Sequence, residues 1–157
     1  SGCKSEFDDA KAAACSFGGH TIVRAGFGSF DISGVEFHQM GQGGNLGHYA
    51  THFHMVKDTS YTNATIRDSS MWDSNTRHLS VHGTIGVSFE RNVGYLSSGH
   101  AFMFGEDGTE TDNAYCYNLA IGVQSAGDLN YAYYVSSDTR EHYIATGGMT
   151  SRVRKPI

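Results

Sequence analysis

Proline is almost missing from this chain: Pro156 stands alone in 157 residues. Such a backbone keeps nearly every amide N–H available for strand ladders. Helical periodicity is also scarce. Its best stretch is "SEFDDAKAAAC" near the start, where Ser5 is placed to cap and the alanines favour the state. No apolar run approaches the roughly 20 residues that a spanning helix needs, so no membrane contact is expected of this segment. Basic residues gather only in "SRVRKP" and the net charge is −5, which argues against nucleic acid as the main partner. There is no Cys-x-x-Cys pair and no G-x-S-x-G elbow, and no glycine loop follows a strand to open a helix. Zinc-ribbon, serine-hydrolase and phosphate-loop chemistries therefore find no support. Three cysteines cannot pair off completely; Cys3 and Cys15 are the candidate disulfide, and Cys116 reads as a small buried apolar residue.

What is present is glycine (20), tyrosine (9) and phenylalanine (9), set in short β-rich runs that end on Gly, Asn or Asp. The runs repeat. "TIRDSSMWDS", "SFERNVGYLSS" and "AYCYNLAIG" align on Ser70, Asn92 and Asn118, and "FDISGVEFHQMG" precedes them as another copy. A second series, "THFHM", "RHLSVHG", "HAFMFGED" and "EHYIATGG", runs beside the first. A period of 22 to 26 residues (Ser70 to Asn92, then Asn92 to Asn118) holding two or three short strands is the signature of a parallel β-helix coil. Ile66, Met71, Leu79, Val81, Phe89, Val93, Phe102, Phe104, Leu119 and Ile121 are the expected inward residues, with Asn92 and Asn118 stacking at one corner. The competing antiparallel β-sandwich should show hairpin dipeptides, yet there is no Asn-Gly and a single Asp-Gly, Asp107–Gly108. The expectation is an all-β solenoid of about five coils: a lead-in or cap over residues 1–17, repeats over 18–147 and a tail or linker over 148–157. The opening "SGCKSEFDD" reads as mid-protein sequence, and we expect a segment of a longer chain. "NAT" at Asn63 fits the N-glycosylation sequon, a weak pointer to an extracellular address.

Three blocks carry a resemblance: "GVEFHQMGQGGNLGHYATHFHM", "IRDSSMWDSNTRHLSVHGT" and "FERNVGYLSSGHAFMFGEDGTETDN". In this order they closely resemble the PbH1-repeat β-helix that follows the G8 domain in the family of cell-surface hyaluronidase, cell-migration-inducing hyaluronan-binding protein and fibrocystin. The likeness runs from about Gly18 to Leu119 and fades towards Gly147. Departures fall at His48, Ala50 and Thr51. The resemblance implies a right-handed parallel β-helix in an extracellular or cell-surface protein. It implies an acidic polysaccharide of the hyaluronan type as partner, with calcium as a candidate cofactor because some members degrade hyaluronan in a calcium-dependent way. The fibrocystin branch implies the alternative, a non-enzymatic structural or assembly module in contact with other chains.

Site candidates come from "HYATHFHM" at residues 48–55. Histidines at i, i+2 share a face only in an extended segment, so His52 and His54 project together while Thr51, Phe53 and Met55 point the other way. With the coils aligned, His54, His82 and the pair Glu106–Asp107 fall at like places on successive strands. They are the candidate catalytic set, or the ligands of a divalent ion with His52 or His78 beside them. Carboxylate pairs for glycosidic acid–base work are Asp107 with Glu110, or Asp73 with Asp107. "GEDGTETD" packs Glu106, Asp107, Glu110 and Asp112 together, hard oxygen donors suited to calcium. His52, Arg67, Trp72, Arg77 and Arg91 are the candidate polysaccharide contacts, with Tyr49 and Tyr95 as further stacking surfaces. Tyr131, Tyr133 and Tyr134 read as loop packing. The plainer possibility is that stacked histidines merely hold a turn and the acidic loop is solvated.

Overall fold

The computed structural model describes residues 17–43, 45–58, 63–105 and 108–124. Each repeat contributes up to three strands. The first coil holds β1 (Ser29–Ser33), β2 (Glu36–His38) and β3 (Thr51–Asp58). The second holds β4 (Asn63–Arg67), β5 (Ser70–Ser74) and β6 (Leu79–Ile85). The third holds β7 (Ser88–Glu90), β8 (Val93–Ser97) and β9 (Phe102–Phe104), and β10 (Ala114–Cys116) with β11 (Leu119–Ile121) begins the next. Like strands pair in parallel into three sheets, β1-β4-β7-β10, β2-β5-β8-β11 and β3-β6-β9. An isolated parallel bridge, Val23 to Phe53, extends the third sheet by one further contact. This is a parallel β-helix, with no helix among the described residues. The candidate lead-in helix, Cys3–Cys15, the "EHYIATGG" strand, the three tyrosines of "NYAYY" and the tail lie outside those residues.

One corner explains the repeat. Gly34, Asp68, Arg91 and Tyr117 all take a left-handed backbone, with φ between 50° and 68°. That conformation is strained for a residue with a Cβ, so something must over-determine it. At Asp68, Arg91 and Tyr117 the residue that follows supplies the reason. Asn118 Oδ1 accepts from the backbone N–H of Asn92 (2.8 Å), Asn92 Oδ1 from that of Ser69 (3.1 Å), and Ser69 Oγ from that of Val35 (3.1 Å). Asn92 also donates Nδ2 to the Ile66 carbonyl at 3.0 Å, and it is wholly buried. The ladder therefore runs through Ser69, one residue earlier than the expected Ser70. A second corner repeats the device: Asn113 Oδ1 accepts from Val87 N at 2.8 Å and its Nδ2 donates to Thr84 O at 3.0 Å.

Inside, Phe53, Ile66, Met71, Leu79, Val81, Phe89 and Phe102 are almost completely excluded from water. Each such side chain contributes about 1.5–3 kcal/mol on burial. Phe104 is half-buried against this cluster. Three expected core residues face outward instead: Val93, Leu119 and Ile121 are all exposed. The strand register aligns Gly94 with Met71 and with Ala120, so these three fill the inward positions of the second sheet. Gly94 has to be small, because a Cβ there would sit 2.6 Å from Phe102 Cζ and 2.9 Å from His78 Cδ2. Met55 is also exposed rather than inward. The register shifts between His54 and Lys57, and the positive φ of Met55 and Lys57 breaks the alternation there. Cys116 lies on a strand as expected, but its side chain is exposed.

The corner generates a direct expectation. Asn92→Ala strips a buried carbonyl and a buried N–H of their partners at once, and should lower unfolding free energy by about 2–5 kcal/mol, read from urea midpoints. A loss under about 0.5 kcal/mol would mean the ladder contributes nothing.

Candidate functional site

The third sheet brings the histidines together. In β3, Thr51 and Phe53 are buried inward, while His52 and His54 occupy the opposite face. The parallel register sets His54 directly beside His82 of β6 and His52 beside Ser80. His54 Nδ1 and His82 Nδ1 lie 3.3 Å apart, and the His52–His54 and His54–His82 ring centroids are 5.0 and 5.1 Å apart. Ligand nitrogens of all three fall within 4.8 Å of one another, the one such group of metal-ligating side chains among the described residues. His54 and His82 are half-buried. His52 is buried because the Gly47–Tyr49 segment folds back over it: its Nδ1 meets the Gly47 carbonyl at 2.9 Å and its ring lies 4.9 Å from that of Tyr49.

A carboxylate stands next to this group. Glu110 Oε1 accepts from the N–H of Gly83, the residue after His82, at 2.8 Å, and its Oε2 accepts from Gly108 N at 2.9 Å. Asp112 is exposed at a left-handed corner and takes no part in that contact. Glu106 and Asp107 lie outside the described residues. The pairing of β6 with β9 reaches Val81 and Phe104.

The other candidates lie elsewhere. Arg77 is buried, its guanidinium 4.7 Å over the ring of the equally buried Tyr49 and its Nη1 3.3 Å from Ser80 Oγ. His78 is a core residue, with Nδ1 2.7 Å from Ser74 Oγ. Arg67 and Arg91 project from the first corner, remote in the coil from the third sheet. Arg91 forms a two-pronged pair with Asp68 (2.6 and 3.0 Å) and a contact with Glu90 at 3.0 Å, while Arg67 reaches Asp31 at 3.4 Å. These contacts hold the Asp68 carboxyl below its ordinary range, chiefly through the Arg91 hydrogen bond. Glu90 is likewise held low, first by Ser88 and then by Arg91. Trp72 faces outward on the second sheet, as expected, in a row with His38 and Tyr95. It is half-buried because the His38 ring stacks on it at 3.6 Å, and its Nε1 donates to Glu36. Asp73, the next residue along β5, accepts from Gln39 at 3.0 Å. Asn63 is exposed at the start of β4, with Thr65 Oγ1 donating to its Oδ1 at 2.8 Å.

Spacing within "THFHM" and the coil period were enough to foresee His54 beside His82. The carbonyl of Gly47 that orients His52, and the burial it brings, come from the path of an irregular excursion, and no sequence signal marks them.

The fold and this face define the class: a β-helix with an imidazole cluster on one sheet and a loop carboxylate tied to that sheet's backbone. Comparison with known proteins makes it particular. The chain belongs to the CEMIP beta-helix family, whose sequence model matches residues 16–152. It is 38% identical over 148 residues to a G8 domain-containing protein of Dictyostelium discoideum, a match covering 89% of this chain and 13% of that protein. Human cell surface hyaluronidase CEMIP2 is 38% identical over 110 residues, 67% of this chain and 8% of its own length. The mouse cell migration-inducing and hyaluronan-binding protein is 40% identical over 114 residues, 69% of this chain and 8% of its own. The chain thus spans a small part of the curated relatives it matches.

Beside Arg77, the buried His100 has its pKa pushed down to about 3, mainly by loss of water and further by the Arg77 charge. The unfolded chain restores the ordinary 6.5, so the unfolded state binds the extra proton and stability falls as pH drops from about 6.5 towards 3. From this group alone the loss at pH 5 relative to pH 7.5 is about 2 kcal/mol. Urea unfolding at the two pH values should show that difference shrink in His100→Gln. An unchanged difference would remove His100 as its source.

Proposed function

We propose that this chain is the β-helix segment of a large cell-surface or extracellular protein that binds an acidic polysaccharide of the hyaluronan type and shortens it. The observation that carries the reading is kinship: two relatives at 38–40% identity bear names that state hyaluronan cleavage and hyaluronan binding. The third sheet supplies a chemically suitable face. His54 and His82 are reachable from solvent, and Glu110 is anchored beside them by the Gly83 amide. Imidazoles can donate to the polymer's carboxylates and hydroxyls, and a carboxylate held near them is the group that glycosidic acid–base work requires.

Arg67 and Arg91 play a lesser part in this reading. Their charge is already shared with Asp31, Asp68 and Glu90. The acidic loop carrying Glu110 and Asp112 is the candidate place for calcium. Of its described members, Glu110 already spends both oxygens on backbone amides.

The test is a size analysis of hyaluronan incubated with the full-length protein, with and without calcium chelation, alongside His54→Ala and His82→Ala. Shortening by the native protein that drops at least about 100-fold in both variants is expected, the scale of losing a positioned acid–base group. Binding without any shortening by the native protein would leave a structural or adhesive module and end the enzymatic reading. Absence of binding would end both.

A further inference from the structure

We propose that His52, His54 and His82 form a three-nitrogen site for a divalent transition ion, of which zinc is the probe. This goes beyond the polysaccharide reading and does not require it, since it rests on the geometry of the imidazoles alone.

Three observations converge. The first is the His54–His82 separation. Zinc holds imidazole nitrogens at about 2.0–2.1 Å, so two of them at a tetrahedral angle lie about 3.4 Å apart. The two Nδ1 atoms stand at 3.3 Å, on neighbouring strands in exact backbone register. The second is the tautomer of His52. Its Nδ1 faces the Gly47 carbonyl at 2.9 Å, an acceptor, so this nitrogen carries the proton and Nε2 carries the lone pair. An N–H held by a backbone carbonyl is the outer contact that orients a ligating imidazole and raises its basicity. The third is the grouping itself. One ring nitrogen from each histidine already lies within 4.8 Å of the other two, and modest rotation of the rings closes the remaining gaps.

The donor set also chooses the ion. Neutral imidazoles suit zinc and its transition-metal neighbours, whereas calcium takes six to eight oxygens. The imidazole face is therefore suited to a transition ion rather than to calcium. Three protein ligands leave a fourth position, on the side where His54 and His82 reach solvent, for a water or a substrate oxygen. The β-bulge just after His54 assists. It turns Met55 and Lys57 out of the alternation, and both the bulge and Gly83 take left-handed backbone at the edge of the site.

The full-length protein, stripped with a chelator, is titrated with Zn²⁺ alone by calorimetry. Saturable uptake that calcium in large excess does not displace is expected, with affinity roughly 100-fold or more weaker in His54→Ala and in His82→Ala. His48→Ala is the control. His48 Nδ1 faces the Gln42 side chain at 2.8 Å rather than the cluster, and its loss should leave affinity unchanged. Uptake that is equal in all four proteins puts the ion elsewhere and overturns the proposal, as does no uptake by the native protein. Should either variant fail to fold, Co²⁺ bound to the unmodified protein decides. Intense visible bands of a four-coordinate nitrogen site support the proposal, and the weak spectrum of a six-coordinate oxygen site refutes it.

Discussion

The coils can stack only if every corner leaves the backbone in the same place, and the side-chain ladder of Ser69, Asn92 and Asn118 is what holds it there. Each side chain satisfies the N–H of the coil next to it, and Asn92 satisfies a carbonyl as well. Buried amide groups that lose such partners cost about 1–3 kcal/mol each, comparable with a core side chain. The left-handed residues before them carry little stabilisation of their own. Glycine fills that place once, at Gly34, and Asp68, Arg91 and Tyr117 tolerate it because the following residue locks the turn.

The candidate site follows from the same register. A residue pair that shares a rung address becomes a neighbour pair in space, however far apart in sequence. His54 and His82 are 28 positions apart and their Nδ1 atoms are 3.3 Å apart. The paired strands bring two imidazoles together, the i, i+2 spacing on β3 adds the third, and Glu110 reaches the same edge through Gly83 N. In contrast, the arginines that the sequence offers for an acidic polymer are consumed by the fold. Arg77 supports a buried tyrosine, and Arg67 and Arg91 cross-link the outer corner.

The period and the parallel stacking were legible in the sequence because Gly, Asn and Asp punctuate every coil, and because hairpin dipeptides are absent. The His54–His82 column was legible for the same reason. The phase at the corner was not. Aligning on Ser70 instead of Ser69 shifts the strand that follows by one place, and one place reverses every side chain. Val93, Leu119 and Ile121 look like core residues by composition, yet the inward positions belong to Gly94 and Ala120. The narrow interior near Phe102 and His78 has room only for small residues there, a steric fact with no hydrophobic signature. The burial of His52, Tyr49 and Arg77 was equally hidden, since it depends on how Gly47 and Tyr49 lie against the sheet.

Cross-linking tests the shared register most directly. Ser70 and Val93 are paired on adjacent parallel strands with both side chains on the outer face. In a Cys116→Ser background, Ser70→Cys with Val93→Cys should form a disulfide readily, because neighbouring strands lie about 4.8 Å apart, within the reach of the bond. Ser70→Cys with Leu119→Cys, two rungs apart at about 9.6 Å, should not. Efficient bonding of the second pair and none of the first would contradict the stacking on which the imidazole face depends.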